Sequence, residues 1–313
     1  MAHAVSWMVA GILVCWFSAG CPAEACRSEE DATFNLREVI IGTCERFQAD
    51  HQDVFCPNRF KNCTAIWEAF SGAFRKQPRC NVNESRYDRY VQLTATDLPK
   101  DKAVFWENVY HFVSRFTNGG RHYFQVGDTL MGYIPDGLQW CGSLNESDIT
   151  PGGSKCPSSW EASSDCQQGA SRAFWVAASK YFAEHVSGEI YVMFNTSVTP
   201  IYAIDTYLAK YEIPYLRSGV VTKATALLLN DSPEPGKSKC SDTSLSVLED
   251  QLRQKNIPYV CVENRRDVAT IYCLDNPTAK LCDSLDHATN SAPTSSVLTN
   301  AMFVLYVCAY VLF

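Results

Sequence analysis

The segment that decides the fold is Gly127-Asp128-Thr129-Leu130-Met131-Gly132-Tyr133-Ile134-Pro135-Asp136-Gly137-Leu138-Gln139-Trp140-Cys141-Gly142. It combines carboxylates and aromatic rings with several glycines. Rings stack on flat ligands, while carboxylates accept hydrogen bonds from sugar hydroxyls or face a positive charge. The same residue types recur elsewhere in predicted loops and helix ends, at Trp106, Trp160, Trp175 and Glu212. Each tryptophan is more often a core residue, and a glutamate before a strand is more often solvated.

Composition indicates a globular protein. The chain has 313 residues, of which 46% are hydrophobic and 19% are charged, enough to bury one large core or two smaller ones. Its net charge is −7 and its pI is about 5.4. An acidic chain without a long basic run lacks the electrostatic footprint of a nucleic-acid binder. Nucleic acid is therefore not an expected partner.

Both ends of the chain have the pattern of processing signals. An apolar run over 7–17 leads to small residues, which predicts a signal peptide over 1–25, cleaved after Gly20 or Ala25. The apolar tail over 301–313 is shorter than the roughly 20 residues that span a bilayer. A polar stalk over 284–300 precedes this tail, and the arrangement predicts a glycosylphosphatidylinositol anchor at Asn290 or Ser291. The alternative is a short buried terminal helix.

The cysteine count agrees with an oxidising compartment. Apart from Cys15, Cys21 and Cys308, which lie in or beside the predicted signals, an even set remains, able to form disulfides throughout. No pair has zinc-ligand spacing, so no metal is expected. Five sequons predict glycosylation at Asn62, Asn83, Asn145, Asn195 and Asn230. We expect a protein at the extracellular face of the plasma membrane or in the lumen of a secretory vesicle.

Hydrophobic periodicity predicts helices first and strands later. Apolar residues at helical spacing indicate helices over 65–74, 104–116, 171–185 and 244–255. Short β-prone runs indicate strands over 189–194, from 214 onward and over 259–262. The order predicts a helical part followed by a small α/β part with a mainly parallel sheet. Familiar nucleophile, phosphate-loop and metalloprotease motifs are not found in the sequence. The pattern alone indicates an extracellular protein with a glycan or nucleotide site.

The segment over 128–142 closely resembles the DTLxGYxxDxLxWCG motif of the ADP-ribosyl cyclase/cyclic ADP-ribose hydrolase family, ectoenzymes that act on NAD. The segment over 171–184 is similar to the family's FW…FAE helix, and 192–197 is similar to its VMLNGS strand end. The resemblance covers 44–282. It implies an α+β or α/β, disulfide-rich fold. A helical N-terminal subdomain, 26–99 plus 125–186, would pack on a C-terminal α/β subdomain, 100–124 plus 187–283.

The resemblance also implies a disulfide pairing. The expected bridges are Cys44–Cys63, Cys80–Cys166, Cys141–Cys156, Cys240–Cys261 and Cys273–Cys282. The two cysteines left over, Cys26 and Cys56, would pair with each other. We call the segment over 127–142 the opening segment. Cys141 would fix the end of this segment, and Trp140 would be a packing residue.

Site residues follow from the resemblance, position by position. Glu212 would be the catalytic carboxylate that stabilises an oxocarbenium-like ribose. Trp106 and Trp175 would stack on the bases, and Asp136 would hydrogen-bond the carboxamide. Ser179 lies where the family places a phosphate-binding hydroxyl. The remaining substrate-binding positions are Val126, Gly127 and Asp128. No cofactor is implied, because NAD and NADP would be substrates; the resemblance leaves a homodimer open.

Three positions depart from the family pattern. Glu107-Asn108 replaces a phosphate-contacting Ser-Arg pair, and Tyr207-Leu208 replaces Thr-Phe. Gly127 replaces a glutamate that influences the balance between hydrolysis and cyclisation, so we expect cyclisation and base exchange to outweigh hydrolysis. The alternative is that Gly127 only permits a turn with positive φ.

Several functions stay open from the sequence alone. The chain could be chiefly an NAD glycohydrolase, or a non-catalytic receptor or adhesion ectodomain on the same fold. A disulfide-rich glycan-binding module fits the residue pattern without the resemblance. Release of nicotinamide from NAD separates these classes.

Overall fold

The computed structural model describes residues 32–52, 60–144, 156, 166, 168–229, 239–278 and 282. The predicted signal peptide, stalk and hydrophobic tail lie outside these residues, as do Cys26 and Cys56, Trp160, and the sequon residues Asn145 and Asn230. Among the residues described, none of the helices has the length and apolar character needed to cross a bilayer.

Helices dominate the first half of the described chain. The α-helices of all the described residues are, in chain order, α1 (Leu36–Asp50), α2 (Cys63–Phe74), α3 (Asp88–Thr94), α4 (Tyr110–Thr117), α5 (Leu130–Tyr133), α6 (Ala170–His185), α7 (Thr243–Gln254) and α8 (Arg266–Asp275). Helix α2 begins at an N-cap where Asn62 Oδ1 accepts a hydrogen bond from the backbone nitrogen of Ala65 at 3.0 Å. Helix α7 begins similarly at Asp242, which accepts from the backbone of Ser244.

Four parallel strands form a single sheet in the order β1-β2-β3-β4. They are β1 (Ala103–Glu107), β2 (Gly188–Asn195), β3 (Val221–Leu229) and β4 (Tyr259–Glu263). The central strands β2 and β3 are mostly buried, as expected for a parallel sheet covered on both faces. The helical and α/β composition and the small parallel sheet confirm the predicted fold class.

Most predicted elements are confirmed. The helices expected over 65–74, 171–185 and 244–255 are α2, α6 and α7, and the strands expected over 189–194 and 259–262 are β2 and β4. The helix expected over 104–116 is wrong in its first part, because Ala103–Glu107 is strand β1 and helix α4 starts only at Tyr110. Asn108 separates the two elements with a left-handed backbone, φ 57°.

The strand expected from residue 214 is also wrong at its start. Ile213–Tyr215 forms a short 3-10 turn with Pro214 in its first positions, and β3 begins at Val221. A proline in the first positions of a helical turn costs no hydrogen bond, because the backbone N–H groups there have no partner within the turn.

Helix α6 joins the core of the helical part to the core beneath the sheet. Phe174 and Ala178 pack with the rings of α2 and α3, where Phe70 lies 6.1 Å from Phe174 between centroids. Phe182, one turn further on, packs against Phe105 of β1 at 5.2 Å. The region around α6 is therefore where the two cores meet. The exact subdomain bounds given above stay a prediction.

Five disulfides link described cysteines and confirm the pairing implied by the resemblance. They are Cys44–Cys63, Cys80–Cys166, Cys141–Cys156, Cys240–Cys261 and Cys273–Cys282. The expected bridge between Cys26 and Cys56 lies outside the described residues.

Candidate active site

A buried carboxylate, Glu212, lies at the end of a π-helical turn, Leu208–Glu212. Its side chain is 8% exposed, and Ser179 Oγ donates a hydrogen bond to its Oε1 at 2.9 Å. Burial raises the pKa of Glu212 to about 8; the hydrogen bond from Ser179 opposes this rise and the charge of Glu107 adds to it. The structure thus places a carboxyl whose charge is poorly solvated at the junction of the two cores.

Trp175 and Ser179 lie on the same face of α6, because residues four apart are neighbours on a helix surface. Ser179 is buried, whereas Trp175 is only partly buried and packs edge-on against Phe174 at 4.9 Å. Since Ser179 reaches Glu212, the face of α6 that carries Trp175 is also the face that approaches the carboxylate.

Trp106 lies at the carboxyl end of β1, the edge where ligands of open parallel sheets bind. Its indole nitrogen donates to Gln125 Oε1 at 2.6 Å. The backbone nitrogen of Gln125 in turn donates to Asp128 Oδ2 at 3.0 Å. Gln125 therefore links Trp106 to the opening segment. Sequence reasoning missed Gln125, and its only signal is an amide residue just before the motif.

The opening segment also reaches α4. Tyr110 donates its hydroxyl to Asp136 Oδ2 at 3.0 Å, and the Tyr110 ring lies 5.6 Å from that of Trp106. Asp136 is exposed, in keeping with a residue available to a ligand. Tyr110 is a second residue that sequence reasoning did not single out.

A second carboxyl, Glu107, follows Trp106 at the end of β1. It is partly buried, and burial raises its pKa to about 7, while the nearby Thr206 hydroxyl lowers the pKa and the charge of Asp205 raises it. Burial raises the pKa of the Tyr202 hydroxyl above its usual value, and the negative charges of Glu107 and Glu212 raise it further. The charge of Glu107 therefore acts on the ionisation of both Glu212 and Tyr202.

The remaining predicted positions lie in or next to the opening segment. Val126 packs against both the helical core and the sheet core. Gly127 lies in the 3-10 turn Val126–Asp128 and has no positive φ, so the alternative that it only permits such a turn is wrong. Trp140 is confirmed as a packing residue, 1% exposed, with its indole nitrogen donating to the Tyr87 hydroxyl at 2.9 Å.

The described sequons differ in accessibility. Asn62 and Asn83 are exposed at helix starts. Asn195 is 9% exposed, and its Nδ2 donates to the Asn108 carbonyl at 3.4 Å, which makes it the least accessible of the three. Glycosylation at these positions stays a prediction. Within the described residues, no group of three or more His, Cys, Asp or Glu side chains could hold a metal ion.

Fold and site together define a disulfide-linked α/β protein in which a buried carboxyl contacts the face of α6 that carries Trp175, and in which Trp106 lies at the carboxyl edge of the sheet. A family model described as ADP-ribosyl cyclase matches residues 33–282. The chain is 34% identical to human ADP-ribosyl cyclase/cyclic ADP-ribose hydrolase 2 over 255 residues, covering 81% of this chain and 77% of that protein. It is 32% identical to the Aplysia kurodai ADP-ribosyl cyclase/cyclic ADP-ribose hydrolase, covering 80% and 87%.

Solved structures agree. An Aplysia cyclase complexed with substrate NGD and product cGDPR has a TM-score of 0.72 at 30% identity, covering 80% of this chain and 97% of that chain. Porcine CD38 with a covalent intermediate has a TM-score of 0.67 at 29% identity, covering 76% and 99%. The chain belongs to the ADP-ribosyl cyclase family, and it is an enzyme of the ADP-ribosyl cyclase and NAD glycohydrolase class.

Proposed function

We propose that this enzyme is an ecto-ADP-ribosyl cyclase that cleaves the nicotinamide–ribose bond of NAD. Its products would be nicotinamide and cyclic ADP-ribose, with base exchange on NADP and some hydrolysis to ADP-ribose. The observation that carries the proposal is Glu212, a buried carboxyl held by Ser179 on the face of α6 that also bears Trp175. The reaction needs no cofactor, because NAD and NADP are themselves the substrates.

Glu212 supplies the charge that the reaction requires. When the bond between C1′ and nicotinamide breaks, the electron pair leaves with the neutral pyridine and the ribose becomes cationic, so a carboxylate beside C1′ lowers the barrier. Nicotinamide needs no proton to leave. Because Glu212 has a pKa of about 8, only about a tenth of the free enzyme is ionised at pH 7. A positively charged nicotinamide ring favours the ionised form, so the substrate itself assists deprotonation.

The tryptophans supply proximity. Trp106, fixed by Gln125, and Trp175, on α6, offer two ring faces on which the bases of the dinucleotide can stack. Folding the substrate between them brings an adenine nitrogen to C1′ and makes ring closure intramolecular. Asp136 is available to the carboxamide, and Tyr110 holds its carboxylate in place.

The test uses the protein secreted without residues 286–313. Incubation with NAD should release nicotinamide and yield cyclic ADP-ribose. Glu212→Gln keeps the side-chain shape and an oxygen for Ser179, so it should fold but lose nicotinamide release by at least about 100-fold. If the wild-type protein releases no nicotinamide, the receptor or adhesion function on the same fold is favoured instead. Near wild-type turnover by Glu212→Gln would remove Glu212 from the mechanism.

The anchor is part of the proposal. Attachment of glycosylphosphatidylinositol at Asn290 or Ser291 would place the enzyme on the outer face of the plasma membrane or in a vesicle lumen. A phosphatidylinositol-specific phospholipase should release it from cells in active form. Retention on the membrane, with the segment over 301–313 still present in the mature protein, would contradict an anchor. The homodimer stays a prediction that sedimentation of the released enzyme can check.

A further inference from the structure

The proposed chemistry has not yet used Glu107. This residue ends β1 next to Trp106, and β1 packs against the π-helical turn that carries Glu212. Glu107 is more exposed than Glu212. Its charge acts on Glu212 and on the Tyr202 hydroxyl. The site therefore contains two carboxyls with different surroundings, one enclosed and one closer to solvent.

Among the residues that the structure describes, Glu107 forms no ion pair with a lysine or arginine. Asp205, Tyr202 and Glu212 face it, and each is acidic or neutral. The basic residues of α6 are directed elsewhere: Arg172 lies over the Tyr207 ring at 5.6 Å, and Lys180 pairs with Glu84 and lies over the Tyr215 ring. Lys210, in the turn that carries Glu212, is exposed. A carboxylate left without an ion pair keeps its basicity.

We propose that Glu107 is the base that takes a proton from the water molecule attacking the ribosyl cation, and so determines how much substrate is hydrolysed. This inference rests on the proposed NAD cleavage. Two carboxyls with separated roles are a recurring arrangement for glycosidic bond cleavage, in which one stabilises the sugar cation and the other activates water.

The step balances without a further reactant. The C1′–nicotinamide bond breaks and its electron pair goes to the pyridine nitrogen. A water oxygen then bonds to C1′, and one of its protons passes to the Glu107 carboxylate. Linear ADP-ribose and nicotinamide leave, and the protonated carboxyl returns its proton to solvent.

Only nucleophiles that lose a proton need this base. Adenine and free pyridines attack C1′ with a ring-nitrogen lone pair and release no proton, whereas water and alcohols must lose one. Glu107 should therefore affect hydrolysis and alcoholysis but leave cyclisation and base exchange nearly unchanged. A carboxyl with a pKa of about 7 is well suited to act as a base near neutral pH.

The test compares products of Glu107→Gln with those of the wild-type enzyme at initial rates, using NAD alone and NAD with methanol or 3-acetylpyridine. General base catalysis is worth about 100-fold or more. The ratio of linear to cyclic product and the yield of methyl ADP-ribose should each fall at least about tenfold, while pyridine exchange changes by less than about threefold. Asp205→Asn is the matched control, because it removes a neighbouring exposed charge but no base; since the charge of Asp205 raises the pKa of Glu107, the ratio of linear to cyclic product in this variant should not fall below that of wild type.

A second measurement does not depend on that variant folding. In the wild-type enzyme the ratio of linear to cyclic product should rise with pH through about 7, as Glu107 ionises. Thr206→Val removes a hydroxyl group that lowers the pKa of Glu107, so the midpoint of this rise should move to higher pH. An unchanged ratio in Glu107→Gln with nicotinamide release intact would overturn the inference, as would an equal fall in the ratio in Asp205→Asn or a flat wild-type profile. Absence of nicotinamide release from the wild type would instead overturn the proposed function.

Discussion

At the scale of one residue, substitution of Gly127 tests whether free space in the site determines the ratio of linear to cyclic product. A Cβ built on Gly127 would meet only the Gln125 side chain at 3.8 Å, an ordinary contact, and the backbone has no positive φ. A glutamate can therefore be introduced without strain. The side chain would fill space beside the nicotinamide position and order a water, so Gly127→Glu should raise the ratio of linear to cyclic product several-fold. Product analysis by chromatography at equal NAD consumption measures this ratio.

The control for that change is Gly127→Ala. Alanine adds a Cβ in the same contact but no carboxylate, so its product ratio should stay close to wild type. Total NAD consumption by Gly127→Glu should remain within about tenfold of wild type, because Glu212 and its contact with Ser179 are untouched. A well-folded Gly127→Glu enzyme with an unaltered ratio would show that position 127 does not govern partition.

Residue types were more predictable than their contacts. The resemblance named Glu212 and Ser179, and the phosphate-binding role that it gives Ser179 stays a prediction; the hydrogen bond from the Ser179 hydroxyl to Glu212 was not foreseen. Gln125 and Tyr110 had no motif of their own, because their importance lies in which side chains they hold. Such pairings depend on the packing of segments far apart in the chain, which residue patterns do not encode.

At the scale of elements, the absence of a side chain at Gly132 allows α5 to pack closely against the backbone of the turn over 126–128. A Cβ on Gly132 would lie 2.1 Å from the backbone oxygen of Val126 and 2.7 Å from its carbonyl carbon, so the turn over 126–128 would have to move. Because that turn carries Asp128, which holds Gln125 and through it Trp106, the displacement should reach the site. Gly132→Ala should destabilise the protein by about 1–3 kcal/mol and reduce kcat/KM for NAD. Thermal unfolding and steady-state kinetics provide the two measurements.

A matched glycine in α2 serves as the control. Gly72 is exposed and a Cβ there would meet nothing within 4 Å, so Gly72→Ala should leave activity unchanged and stabilise the helix by up to about 1 kcal/mol. Equal behaviour of the two alanine variants would mean that close packing at Gly132 does not hold the segment in place.

The helices predicted over 65–74, 171–185 and 244–255 are present, whereas α1 and α8 were not predicted, and the wrong assignments fall where a short apolar run is ambiguous. Val104, Phe105 and Trp106 fit a helix face that continues through Val113, yet they form strand β1. Periodicity cannot separate a buried strand from one helical turn in so few residues. Only the left-handed backbone of Asn108 and the pairing of β1 with β2 decide between them.

At the scale of the whole molecule, the site lies where two hydrophobic cores meet, and α6 contributes residues to both. Residue counting predicted an even set of cysteines, and only the resemblance gave the pairs that the structure contains. The meeting of the cores explains why acidic residues are buried there: α6 contributes packing residues to both sides, and Ser179 and Glu212 are enclosed between them. Placing carboxyls in such surroundings costs stability once they ionise.

That cost predicts how stability depends on pH. Glu212 has a folded-state pKa of about 8, above its usual value of 4.5, so the folded state retains a proton that the unfolded chain releases. Its contribution is fully present below about pH 4.5 and is lost as pH rises through about 8. Glu212→Gln removes this loss while keeping an oxygen for Ser179. The variant should therefore gain stability relative to wild type as pH rises from 5 to 9, by on the order of a few kcal/mol at the upper end.

Thermal or denaturant unfolding across this pH range, with disulfides intact, measures the difference between variant and wild type. Glu45→Gln is the control, because it makes the same chemical change at an exposed position of α1. Each relative stability is a difference between two proteins at one pH, so titration of groups common to both cancels. A stability difference for Glu212→Gln that stays constant from pH 5 to 9 would mean that Glu212 ionises in the folded enzyme as readily as in the unfolded chain. If Glu212 is mostly protonated in the free enzyme, kcat/KM for NAD should rise with pH toward about 8, as the carboxyl ionises. A constant stability difference would instead go with a kcat/KM that does not rise over this range.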